Sequence, residues 1–201
     1  MRPVVAVLVI VVAAGAMAAC GSTRPSKYYQ LEVPETPPAA SNAWPVALLL
    51  GRISAPHVYR DDRIVYRTGP GQLGTYEYHR WAEPPTEMLE AVLLRMLRAS
   101  GRYRTVQPLH SNARGDFILR GRLHHFEEVS DGSLGARVAF EMELYEPKTG
   151  TTVWTHFYSS EEPVQGKEVA QVVQALDRNV KRGLQEVTTG LEQYFSAHPP
   201  K

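Results

Sequence analysis

The chain predicts an α/β (α+β) fold: a single mixed, largely antiparallel sheet packed by two main helices, after a flexible N-terminal tether. Three observations carry this expectation. Residues 137–146 alternate apolar and polar side chains with the period of two of a strand buried on one face. Residues 86–98 and 166–196 repeat apolar side chains at helical spacing. Residues 21–45 hold Pro25, Pro34, Pro37, Pro38 and Pro45 among Ser, Thr, Ala and Asn, a composition that is extended and builds no core.

The N-terminus reads as an address. Arg2 precedes a run from Val4 to Ala14 made almost wholly of Val, Ile, Leu and Ala, and small residues follow to Ala19 apart from Met17. This is the layout of a secretory signal over residues 1–19. The run is shorter than the ~20 residues that span a bilayer, which favours a cleaved signal over a retained membrane anchor. Cys20 is the single cysteine of the chain, so no intramolecular disulfide forms. Met17-Ala18-Ala19-Cys20 resembles a bacterial lipobox, with Met17 where Leu is common. That resemblance implies that the Cys20 thiol takes a diacylglycerol, that the signal is cut before it, and that the new amine is acylated. One acyl chain holds a protein only marginally, whereas two or three give a durable anchor. Gly21, rather than Asp, follows the cysteine. By resemblance to enterobacterial lipoproteins this implies the periplasmic face of the outer membrane. Loss of residues 1–19 removes Arg2 and leaves the 21 acidic residues balanced by as many basic ones. A neutral chain argues against a nucleic-acid partner.

Residues 20–45 are expected to be the lipidated cysteine and its tether, and residues 46–197 a periplasmic domain. Within the tether, Tyr28-Tyr29-Gln30-Leu31 is apolar enough for a short strand or a docking point. Val46–Leu50 is a continuous apolar run between Pro45 and Gly51, which predicts a buried central strand. Arg63–Arg67 is a second strand, with a turn at Gly69-Pro70-Gly71. Thr75–Trp81 is a third, alternating Tyr76, Tyr78 and Arg80 against Glu77, His79 and Trp81.

Pro84-Pro85-Thr86 opens a helix that Thr86 could cap; otherwise Pro85 and Thr86 sit in its first turn. Glu87 and Glu90 suit its positive end, and Arg95 and Arg98 its negative end. Met88, Leu89, Val92, Leu93, Met96 and Leu97 form its core stripe, and Gly101 stops it. Tyr103–Val106 is a short strand. An antiparallel meander follows: Asp116–Glu128, a turn at Asp131–Gly135, Arg137–Glu146 with Val138, Phe140, Met142 and Leu144 inward, the turn Pro147–Gly150, and Thr151–Glu161. The last helix runs from about Gly166 to Ser196, with a stripe from Val169 through Leu191 to Tyr194. Gly183 and Gly190, each costing ~1 kcal/mol relative to Ala, mark either kinks or close approach of another segment.

Catalytic patterns are weak. Glu127-Glu128 and Glu161-Glu162 are paired carboxylates, but neighbours on a strand point to opposite faces, so solvated strand ends are the expected reading. His124-His125 fails as a metal chelate for the same reason, and neither HxH nor HExxH spacing occurs. Gly69–Gly74 imitates a dinucleotide loop, yet Pro70 breaks it and no helix follows. No catalytic residue, metal or cofactor is therefore expected.

The block from Ala55 to Val106 is the most specific stretch. Tyr29-Gln30-Leu31 after the tether, Ile64-Val65-Tyr66-Arg67, and Arg80-Trp81-Ala82-Glu83-Pro84 before a Leu-rich helix occur in an order that resembles the ABC-type transport auxiliary lipoprotein family. Its best-known members are the PqiC-type lipoproteins that accompany MCE-domain lipid transporters. Pro85 departs from the Leu that often follows Glu-Pro. The resemblance implies a non-catalytic periplasmic domain on the inner face of the outer membrane. It also implies docking to an MCE protein that spans from the inner membrane, as single subunits or a homo-oligomeric ring. The alternative is a general structural or assembly lipoprotein of the envelope, with a periplasmic hydrolase a distant third. Two readings of the Arg80–Pro84 block stay open. It builds the fold, with Trp81 packed inside and Arg80 paired to an acid, or Tyr76, Tyr78, Arg80 and Trp81 form a partner interface.

Overall fold

One strand organises the sheet. The computed structural model describes residues 24–32, 43–109 and 114–200, and within them β6 (Phe117–Asp131) has neighbours along both edges. On one edge β7 (Ser133–Glu146) runs antiparallel to it, and β8 (Thr151–Pro163) runs antiparallel to β7. On the other edge two strands follow one another. β2 (Trp44–Ser54) lies parallel to Phe117–Arg122, and β3 (Arg63–Gly69) lies parallel to Glu127–Val129. A 3-10 turn, His57–Tyr59, separates them. β5 (Tyr103–Pro108) flanks β2 in parallel, β4 (Gln72–Trp81) flanks β3 antiparallel, and β1 (Lys27–Tyr29) flanks β4 in parallel. The result is the expected mixed sheet, whose two longest pairings are antiparallel.

Two helices cover one face and touch each other. α1 (Pro85–Ala99) packs on β2 and β5, and α2 (Val169–Ala197) packs on β7 and β8. Pro85 starts α1, where its missing N–H costs nothing. Thr86 does not cap: it is buried inside the first turn, and Pro84 holds the cap position without a side-chain hydrogen bond. Met88, Leu89, Val92, Leu93 and Leu97 are buried as expected, while Met96 is only partly so. Gly101 ends the helix at φ +61°, a conformation that disfavours any side chain. α2 begins with a capping box in which the Gln171 side chain accepts from the Glu168 backbone N–H at 3.0 Å.

The stripe of α2 ends on Phe195 rather than Tyr194. Phe195 is fully buried among Trp44, Tyr103 and Phe117, because it continues the i, i+4 row from Leu191. Gly183 and Gly190 mark close approach. A Cβ at Gly183 would come within 2.8 Å of the Phe140 ring and 2.7 Å of Tyr158, and one at Gly190 within 2.8 Å of Trp154. On β7, Val138, Phe140, Met142 and Leu144 are at most 1% exposed. The preceding turn is tighter than expected: Ser133 already pairs with Asp131, leaving Gly132 alone at φ +81°.

Two departures shape the far edge. Residues 27–32, inside the stretch expected to be tether, belong to the fold. β1 pairs with His79–Trp81, the Ala82 N–H donates to the Tyr29 carbonyl at 2.6 Å, and Leu31 is buried in the core. The Glu32 N–H then donates to Asp177 Oδ1 on α2 at 2.9 Å. β4 also breaks its alternation. Val65 faces Thr75 whereas Arg63 faces Arg80, so Tyr76–His79 bulge out opposite Ile64 alone.

Candidate functional site

The bulge in β4 gathers the expected interface residues at the corner where β1 joins the sheet. It brings the rings of Tyr76 and His79, three residues apart, to 5.7 Å, which plain alternation forbids. Tyr76 turns inward. Its hydroxyl donates to Glu128 Oε2 at 2.7 Å, its ring meets Tyr66 edge-on at 5.1 Å, and burial with that hydrogen bond pushes its pKa up. Tyr78 is partly exposed, with the Arg24 guanidinium 5.8 Å from its ring centroid. Arg80 Nη1 donates to Asp62 Oδ1 at 2.8 Å. Trp81 lies in the core at 1% exposure, 5.2 Å from the Phe126 ring. Cys20, the expected acylation site, lies outside the described residues.

β1 completes this corner. The Tyr29 ring stacks on His79 at 5.8 Å, and its hydroxyl lies 2.9 Å from His79 Nδ1. Burial, followed by Lys27 and Arg24, holds the His79 imidazole below its usual range. Tyr28 points outward at 65% exposure. The sequence marked Tyr28–Leu31 as a strand or docking point, but carried no signal that Arg24 and Lys27 would meet β4.

Of the paired carboxylates, Glu161-Glu162 lies at the exposed end of β8 as expected, but Glu127-Glu128 is not a solvated strand end. Glu127 is fully buried and Glu128 is 6% exposed. Glu127 accepts hydrogen bonds from the Tyr59 hydroxyl and from Arg67 Nε at 2.7 Å, and His125 Nδ1 is 3.4 Å away. Glu128 accepts from Tyr76 and from the Ser130 hydroxyl. β3 and the 3-10 turn cross this end of β6 and supply the cation and hydroxyl that a buried carboxylate requires. The two share no partner, so they form no acid–base dyad. Glu162 pairs instead with Arg178 and Arg182 on α2. His124 and His125 sit at a bulge in β6 that breaks the alternation, with His124 Nε2 3.7 Å from Glu141 and His125 Nδ1 3.4 Å from Glu127. Among the described residues no group of three or more His, Cys, Asp or Glu side chains could hold a metal ion. Among them, too, no helix is long and apolar enough to cross a membrane.

Away from the corner, a groove of 570 Å³ runs between α1 and the β2–β5 pair. Leu50, Leu94 and Leu109 give it apolar walls, and Glu83 and Glu87 lie at its side. Arg52 and Glu90 also line it, and Glu90 Oε1 accepts from the Ile53 backbone N–H at 2.6 Å.

The fold is shared with solved structures. A Xanthomonas campestris protein of family DUF330 superposes with a TM-score of 0.72 at 24% identity, covering 81% of this chain and 92% of that one. An uncharacterized protein superposes at 0.66 with 16% identity, covering 84% and 99%. A hypothetical protein from Chlamydia trachomatis reaches 0.51 at 7% identity, covering 76% and 99%. No curated protein matches the sequence. The family model described as ABC-type transport auxiliary lipoprotein component matches residues 29–188, from Tyr29 in β1 to Thr188 in α2. That match takes in every strand from the end of β1 and most of both helices, and the chain belongs to this family of ABC-type transport auxiliary lipoprotein components.

Proposed function

We propose that the protein is an outer-membrane-anchored auxiliary subunit of an MCE/ABC-type lipid transport system, acting by docking rather than by catalysis. The match of residues 29–188 to the auxiliary lipoprotein family carries this reading. The signal-like residues 1–19 and Cys20 place an acylated cysteine directly before the folded domain, and Gly21 directs it to the outer membrane. The partner is an MCE protein reaching across the periplasm, and ATP hydrolysis belongs to a separate subunit. The buried carboxylates Glu127 and Glu128 support a structural role for that corner, since each is satisfied by internal donors.

Affinity capture from detergent-solubilised envelope tests the docking. The acylated protein is expected to retain an MCE-domain protein. Recovery of none, from cells shown to express one, would sink the transport reading and favour a general envelope lipoprotein. Cys20→Ala is expected to leave the fold intact and release the domain from the membrane fraction.

A further inference from the structure

The anchor and the sheet are closer together than the length of the Pro-rich stretch suggests. Cys20 precedes Arg24 by four residues and Lys27, the start of β1, by seven. An extended chain advances at most ~3.6 Å per residue, so Cys20 lies within about 14 Å of Arg24 and about 25 Å of Lys27. Beyond that point there is no slack: β1 is hydrogen-bonded to β4, and Leu31 is fixed in the core. For its acyl chains to reach hydrocarbon, Cys20 must sit in the headgroup layer. The β1–β4 corner is then tied to within a few nanometres of the bilayer.

What that corner displays fits a lipid surface. Tyr28 is 65% exposed on β1, and Tyr78 is partly exposed on the neighbouring strand with Arg24 over its ring. Lys27 is exposed on the other face of β1, in register with His79. Tyrosine with Arg or Lys is the side-chain set of membrane–water interfaces, the ring at headgroup depth and the cation on phosphate. Two acids stand nearby: Glu77, hydrogen-bonded to Tyr78, and Glu168, which is engaged in the α2 capping box. They balance the two cations, so the corner attracts lipid weakly on its own. The anchor supplies the missing affinity by raising the local concentration of surface.

We infer that the Arg24–Tyr28 and Tyr78 corner is a bilayer-contact surface that seats the domain on the membrane with β1 down. This rests on acylation of Cys20, and it names a lipid headgroup layer, not a protein, as the partner of this corner. Its consequence is an orientation. β8 is the opposite edge of the sheet, separated from β1 by β4, β3, β6 and β7. Counted along the sheet it is five strand steps away, although α2 bridges the two sides where Asp177 meets the Glu32 N–H and Arg178 meets Glu162. The free edge of β8 then faces the periplasm.

The test uses the full acylated chain in vesicles of brominated phosphatidylcholine and phosphatidylglycerol, with flotation scored first. Tyr28→Trp and Tyr78→Trp report on the corner, and Phe157→Trp, on the exposed side of β8, reports on the far edge. The expected result is co-flotation, with the emission added by Tyr28→Trp or Tyr78→Trp lost to bromine quenching and that added by Phe157→Trp retained. Co-flotation with both corner reporters unquenched, or with Phe157→Trp quenched as strongly, overturns the inference and leaves the anchor intact. A wild-type chain that does not float overturns the anchor and the inference together.

Discussion

The two lateral halves of the sheet are held by different physics. In the β7–β8–α2 half, regular alternation places Val138, Phe140, Met142 and Leu144 under a helix whose stripe is almost wholly apolar. Of its three buried polar residues, Asp177, Asn179 and Thr188, the one with no exposure is saturated. Asn179 Nδ2 donates to the carbonyls of Ala136 and Ser160 at 2.9 and 3.1 Å, and its Oδ1 accepts from the Tyr158 hydroxyl at 2.6 Å. In the β3–β4–β1 half the strands bulge, and buried carboxylates organise the contacts between them. The difference teaches that β6, carrying two buried carboxylates, must meet the segments that bring their donors, here β3, β4 and the 3-10 turn. A charge buried at a strand crossing is tolerable in only one register.

The sharpest way to break that contrast is to remove one large side chain from each half. Phe140→Ala and Trp81→Ala are each expected to cost about 3–5 kcal/mol in urea unfolding, since both side chains are 1% exposed. A Trp81→Ala variant of near wild-type stability that loses partner binding would instead revive the interface reading of that residue.

Glu127→Ala comes next. Leaving Arg67 and Tyr59 without their carboxylate is expected to cost about 3 kcal/mol, because Arg67 is 19% exposed and Glu127 not at all. The double change Glu127→Leu with Arg67→Met is expected to cost less than Glu127→Ala alone. If it costs more, the pair contributes stability and not only register.

Gly183→Ala probes the fit of the regular half. Its new methyl meets two ring edges in the core, an overpacking expected to cost about 1–3 kcal/mol. Gly190→Ala meets only Trp154, which is partly exposed, so the gain in helix propensity of about 1 kcal/mol is expected to offset the clash. Thermal midpoints of the two variants measure the difference, and equal losses would mean that Trp154 is as fixed as Phe140.

The smallest effect is a pH dependence confined to the polar half. Burial, opposed by Glu127, holds the His125 imidazole below its usual range, and burial does the same to His79. The unfolded chain therefore binds more protons than the native one just below the ordinary imidazole pKa of about 6.5. Stability is full above that value and falls as pH drops through it toward the depressed native values. Urea midpoints at neutral and mildly acidic pH are expected to converge in His125→Gln, and an unchanged slope would assign the effect elsewhere.

Legibility followed locality. The β7 strand, the Pro147–Gly150 turn, the α1 stripe and the Gly101 stop were readable because each depends on residues within a turn or a strand length of one another. Phe195 was missed for Tyr194 because both lie on the boundary of the α2 stripe, and only the ring cluster of Trp44, Tyr103 and Phe117 chooses between them. At the candidate site, Tyr76, Tyr78, Arg80 and Trp81 share one strand, but the alternation expected of them is not the one the fold uses. The bulge depends on Arg63 pairing with Arg80, which no local pattern announces.

By itself, then, the sequence determined where strands and helices lie, which faces of most of them are apolar, and the order of motifs that marks the family. Those properties rest on backbone propensity and on the periods of the strand and the helix. The tertiary structure alone decided that Tyr28–Leu31 closes the sheet instead of trailing as tether. It alone decided that β2 and β3 share one edge of β6, and that Glu127 is buried against an arginine sixty positions away. A carboxylate is soluble or buried according to whether a distant cation and hydroxyl reach it, and that is settled only when the strands carrying them pair.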